Sequence, residues 1–128
     1  MVPFALTEDM PEFLIHVSAL SAHTRDMLEH PRVSLLVVAS DDGGQPQARA
    51  RATIQGDASP LDPASQHYAA CRAQYLQRFP HAADIFALPD FSLFAIRPAA
   101  ARYIGGFAQA VGLTPDLFAL ALRDGPPA

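Results

Sequence analysis

The chain has 128 residues, half of them apolar, with a mean hydropathy of +0.11, which is the size and composition of one globular domain spanning 1–128. Thirteen acidic residues against nine basic ones give a net charge of −4, and no basic run is present to follow a phosphate backbone, so nucleic acid is not an expected partner. All nine cations are arginines, which excludes lysine chemistry; a lone Cys71 excludes an internal disulfide, and with neither a leader pattern nor a long apolar span the expectation is a cytoplasmic protein away from membranes.

Val2 to Leu6 reads as a short strand, Thr7 to Glu12 as a polar turn and Phe13 to Val17 as a second strand, which together predict a hairpin. Ser21 is placed to cap a helix over Ala22 to Glu29 that stops before Pro31, with Met27 and Leu28 as its buried side. Val33 to Ala39 is a nearly continuous aliphatic run, the pattern of a central strand covered on both faces. After the turn signal Ser40 to Gly44, residues Gln47, Arg49, Arg51, Thr53 and Gln55 alternate with small or apolar ones, predicting a strand with one polar face. Asp62 and Pro63 mark a helix start, and Tyr68, Cys71, Tyr75 and Phe79 recur at helical spacing up to Pro80. Two strands, Phe91 to Ile96 and Ala101 to Phe107, are expected on either side of Pro98, and Thr114-Pro115 opens a last helix running to Leu122. Mostly short turns between strands predict an α+β fold built on a small antiparallel barrel with helical insertions.

Three groups of residues stand out chemically. Ser21, His23, Thr24 and Arg25 gather at a strand-to-helix junction, where free backbone N–H groups and the positive end of the helix dipole favour an anion such as phosphate. The competing reading is a plain helix cap with solvated neighbours. Arg49, Arg51, Thr53 and Gln55 line one side of a strand, which equally suits a solvated sheet face. Gly105-Gly106, inside an apolar strand, marks either a bulge or a close backbone approach. The histidines lack metal-site spacing, so no metal site is expected.

The stretches Leu14 to Arg25, His30 to Val37, Thr53-Ile54-Gln55-Gly56, Tyr75 to Pro80, Asp90 to Phe94 and Gly105-Gly106-Phe107 resemble the FMN-binding split barrels related to pyridoxamine 5′-phosphate oxidase, and within them the haem-utilisation branch. The resemblance covers most of the chain and implies a six-stranded antiparallel split β-barrel. It implies that Ser21, His23, Thr24 and Arg25 hold the FMN phosphate, although Ser21-Ala22-His23 stands where oxidase members carry serine-arginine-lysine. It further implies that Arg51 faces the isoalloxazine ring, with Arg49 a poorer candidate, and that backbone groups of His16 and Val17 lie near the ring edge. Haem is the other cofactor implied, for which His16, His23, His67 or His81 could serve as ligand.

Two departures qualify the resemblance. Family barrels begin one strand earlier, so the chain either starts late or lacks a barrel strand, which would leave an open edge. The C-terminal arginine-histidine motif and the tryptophan of the oxidases are missing, so oxidation of vitamin B6 is not expected. The expectation is therefore a homodimeric FMN-binding protein, an oxidoreductase if the flavin turns over. The alternatives are a non-catalytic flavin or haem module and a dimerising domain without ligand.

Overall fold

The computed structural model describes residues 2–8, 10–38, 50–106 and 109–115. Its elements in chain order are β1 (Ala5–Leu6), β2 (Phe13–Ser18), α1 (Ala22–Glu29), β3 (Arg32–Val38), β4 (Arg51–Pro60), α2 (Gln66–Arg78), a 3-10 stretch (Pro80–Ala87), β5 (Phe91–Gly106) and β6 (Gln109–Leu113). The six strands form one sheet in the order β1-β2-β5-β4-β3, with β6 pairing β5. The chain divides into two compact units, residues 1–32 with 57–97, and residues 33–56 with 98–128.

In the first unit, the turn between β1 and β2 is closed by the Thr7 hydroxyl, which accepts from the Glu12 N–H at 2.8 Å and donates to the Met10 carbonyl at 2.9 Å. That turn sets the antiparallel register Ala5 to Leu14 and Leu6 to Phe13. β2 then pairs antiparallel with the first half of β5, from Phe13 opposite Ile96 to Ser18 opposite Phe91. Phe13, Leu14, Ile15 and Val17 are all buried, as are Leu93 to Ile96. Strands buried on both faces carry continuous apolar runs instead of alternation. One side is covered by α2, whose Cys71 and Tyr75 join Ala5, Leu14, Leu93 and Ala95 in a core flanked by Tyr68, Phe79 and Phe86. Helical spacing of these side chains is what lets one face of α2 close the sheet, each fully buried large side chain contributing about 1.5–3 kcal/mol.

Several expectations change in detail. α2 starts later than Asp62-Pro63 suggests: Ser65 is the cap, its Oγ accepting from the Tyr68 N–H at 3.0 Å. Asp62 instead organises the preceding turn, accepting from the Ala64 N–H at 3.0 Å. On α1 the buried residues are Thr24 and Met27, while Leu28 is 58% exposed. The two strands expected around Pro98 are one continuous β5, because proline is tolerated in a strand wherever its missing N–H is not needed by the ladder.

In the second unit, the rest of β5 pairs with β6, a strand the sequence reading did not expect, and the register shifts between Ile104 and Gly106. Gly105 thus stands at the irregularity, as the bulge reading anticipates. The Val33 to Ala39 run is not central. β3 ends the strand order, and its side chains alternate between exposed and half-buried, Leu36 being 66% and Val38 44% exposed. An aliphatic run signals apolar surroundings without telling a covered central strand from an edge strand. β4, whose last four residues belong to the first unit, alternates as expected from Thr53 on, with Ile54, Gly56 and Ala58 buried against exposed Thr53, Gln55, Asp57 and Ser59. The Ser40–Gly44 turn, residues Gln47 and Arg49, and the terminal helix beyond Pro115 with its Phe118, Leu120 and Leu122 lie outside the described residues.

Candidate functional site

The junction between β2 and α1 is assembled around Ser18, which no local sequence pattern marks. Its carbonyl accepts from the Thr24 hydroxyl at 2.6 Å and from the Ser21 N–H at 3.1 Å. Its own hydroxyl donates to Asp90 Oδ2 at 3.4 Å and accepts from the Leu20 N–H at 3.1 Å. The Asp90 carbonyl accepts from the Ala19 N–H at 2.6 Å, tying the turn to the start of β5. The register of Ser18 against Phe91 is what places Asp90 there, and a pairing so distant in sequence leaves no local signal.

This scaffold fixes the start of α1. Ser21 occupies the cap position with extended backbone, yet its side chain makes no capping hydrogen bond. The first helical bond runs from the Arg25 N–H to the Ser21 carbonyl at 3.4 Å, so the amides of Ala22, His23 and Thr24 precede it and are the orphan donors of the first turn. No acidic residue lies in that turn to offset the dipole. Ser21 is half-buried and His23 and Arg25 are exposed, whereas Thr24 is buried with its hydroxyl committed to Ser18. An uncommitted hydroxyl, a positive helix end and an exposed guanidinium form the donor set a phosphate monoester takes, with Thr24 offering only its backbone N–H.

His16, in the middle of β2, lies among aromatic rings. Its imidazole stacks on Phe86 at 3.9 Å between centroids and meets Phe91 at 5.3 Å and Tyr75 edge-on at 6.0 Å. Burial pushes its pKa below the ordinary 6.5, and the same burial raises that of the Tyr75 hydroxyl. Val17 is buried, opposite Ser92. His67 approaches Glu12 Oε1 at 3.4 Å and the Cys71 sulfur at 3.6 Å; burial first, then the Glu12 charge, raises the Cys71 thiol pKa. Of the residues expected to bind cofactor, His16, Val17, Ser21, His23, Thr24 and Arg25 therefore follow one another on β2 and α1 of one unit. Arg51 opens β4 in the other, half-buried, on the same side of the strand as Thr53 and Gln55. Among the described residues no three His, Cys, Asp or Glu side chains gather into a metal site, and no helix is long and apolar enough to cross a membrane.

Comparison with known proteins gives the family. The family model described as pyridoxamine 5′-phosphate oxidase matches residues 1–105. The chain belongs to the pyridoxamine 5′-phosphate oxidase family. Among relatives of this family member, the chloroplastic haem oxygenase HOZ of Arabidopsis thaliana is 36% identical over 110 residues, 86% of the chain and 32% of that protein. The haem oxygenase HutZ of Vibrio cholerae serotype O1 is 28% identical over 106 residues, 81% of the chain and 60% of HutZ. A haem-binding protein from Mycobacterium smegmatis has a similar structure, with a TM-score of 0.83 at 28% identity over 93% of the chain and 48% of its own length. The pyridoxamine 5′-phosphate oxidase family chain thus has the α+β split-barrel fold, and it spans less than two thirds of these relatives.

Proposed function

We propose that the chain binds haem at the β2–α1 junction, with His23 as the iron ligand. The observation that supports this reading is the kind of relative it has: haem oxygenases matching 86% and 81% of the chain, and a haem-binding protein matching 93% of it. The residues at the junction fit the group. His23 is exposed on α1, and Leu20 beside it is 83% exposed, an apolar surface next to an imidazole, as a porphyrin face requires. His16 is enclosed by Phe86, Phe91 and Tyr75, and His67 is engaged by Glu12, which leaves both less suited to iron. Bound haem would supply the redox chemistry; the residues of the chain bind it and orient it. Titrating hemin into the purified chain tests the reading: a saturable Soret shift that His23→Ala weakens is expected, and a wild-type chain without a saturable shift would refute it.

A second reading is favoured by one observation, the Ser21 hydroxyl that caps nothing. In this reading the first turn of α1 takes the phosphate of FMN through Ser21, His23, Arg25 and the amide of Thr24. Backbone groups of His16 and Val17 lie near the ring edge, Arg51 of a second copy of the chain tunes it across the homodimer interface, and the protein is an oxidoreductase if the flavin turns over. Arg25→Ala should then weaken FMN binding by about 1–3 kcal/mol in a fluorescence titration, the range for losing a hydrogen bond to a charged group. Under either reading residues 1–128 act as one domain of a cytoplasmic homodimer. The exposed Leu36 and Val38 of β3 support the dimer, and a free, buried Cys71 suits a reducing compartment.

A further inference from the structure

Within the first unit, α2 and the β1 edge border an open cleft of about 420 Å³ lined by Ala5, Leu6, Glu8, Gln74, Gln77 and Arg78. It shares no residue with the β2–α1 junction. Its volume falls in the range of small-molecule sites, roughly 300–1,000 Å³.

Two features of the lining point to a ligand. The side-chain oxygen of Gln74 is buried without a hydrogen-bond partner, an acceptor withdrawn from water that still needs a donor. Arg78, one helical turn further along α2, is held in place: its Nε donates to the Phe4 carbonyl at 2.9 Å, and its guanidinium lies over the Phe4 and Phe79 rings at 5.9 and 5.2 Å. That bond fixes the guanidinium plane and leaves the two terminal nitrogens, the pair that grips a carboxylate in bidentate fashion. It also occupies the carbonyl that an added strand would use along β1, which argues against a peptide pairing there. Glu8, just after β1, adds a carboxylate to the lining, so the cleft offers one cation, one anion and two amides.

We propose that this cleft binds a small zwitterion of the free α-amino acid class. The ligand's carboxylate meets the Arg78 terminal nitrogens, its ammonium lies toward Glu8, and the Gln74 oxygen accepts one of its N–H groups. A single anion would leave Glu8 repelling it, and a single cation would leave Arg78 doing the same; only a ligand carrying both charges answers both.

Isothermal titration of the full chain tests this, with L-glutamine as the probe and acetate and ethylammonium as half-ligand controls. L-glutamine should bind saturably in the millimolar range or tighter, with each control weaker by at least about tenfold. Glu8→Gln, on an exposed turn and harmless to the core, and Gln74→Leu should each weaken L-glutamine by about tenfold, the scale of one charge-assisted or buried hydrogen bond. Arg78→Gln should abolish binding, and circular dichroism of that variant checks that losing the Phe4 bond has not unfolded β1. The proposal is overturned if L-glutamine gives no saturable heat with the folded wild-type chain. Acetate binding as tightly as L-glutamine would equally overturn it, as would unchanged affinity in Glu8→Gln together with Gln74→Leu.

Discussion

The half-buried His16 and the buried Cys71 make the interior of the first unit sensitive to solution conditions. Because burial lowers the pKa of His16, the unfolded chain binds more protons than the folded one once the pH drops below about 6.5. The contribution of neutral His16 is therefore present in full above that value and is lost as pH falls through the depressed folded value. Tyr75 and the Arg72 guanidinium over Phe86, at 5.1 Å, neighbour the same aromatic group, and neither supplies a negative charge that would rescue an imidazolium. Urea midpoints measured above and below pH 6.5 should fall more steeply with acid for the wild type than for His16→Phe. Cys71, 1% exposed and with its thiol pKa raised by burial and by Glu12, should react with a thiol reagent orders of magnitude more slowly in the native state than in urea. Rapid labelling of the native chain would show that α2 detaches readily from the sheet.

At the level of elements, the two helix starts make opposite predictions from the same residue type. Ser65 accepts a hydrogen bond from the Tyr68 N–H and Ser21 accepts none with its side chain. Ser65→Ala should therefore cost about 1 kcal/mol in chemical denaturation, while Ser21→Ala should leave stability nearly unchanged. The same contrast explains how much of the fold could be read in advance. The β1–β2 hairpin, with its first strand cut to Ala5–Leu6 from the expected Val2 to Leu6, α1 from Ala22 to Glu29, the polar face of β4 and the buried face of α2 all follow from periodicity and local turn chemistry. What local pattern could not give was set by partners far along the chain. Whether Val33 to Val38 sits centrally depends on which strands flank it, and the continuity of β5 through Pro98 depends on where its ladder needs a donor. At the junction, the composition of Ser21 to Arg25 was visible in the sequence, but the roles of Ser18 and Asp90, and the diversion of the Thr24 hydroxyl into structure, came only with the β2–β5 register.

On the scale of the whole molecule, the exposed Leu36 and Val38 of β3 predict self-association. Sedimentation should give a dimer, and Leu36→Arg should shift it toward monomer by placing a charge where an apolar contact is expected. A wild-type chain that remains monomeric at high concentration would remove that reading. The β2–β5 ladder has a further consequence, which concerns time. During synthesis β2 is made early, yet its partner, beginning opposite Ser18 at Phe91, is made only after β3, β4 and α2. Until then the Phe13 to Val17 segment has apolar side chains and no ladder on its inner edge, whereas β5 and β6 follow each other directly and can pair as soon as both exist. Refolding should thus proceed with the β5–β6 hairpin protected early and the amides of β2 protected last, an order that pulsed hydrogen exchange can resolve. Nascent chains released before Phe91 should be the species that aggregate.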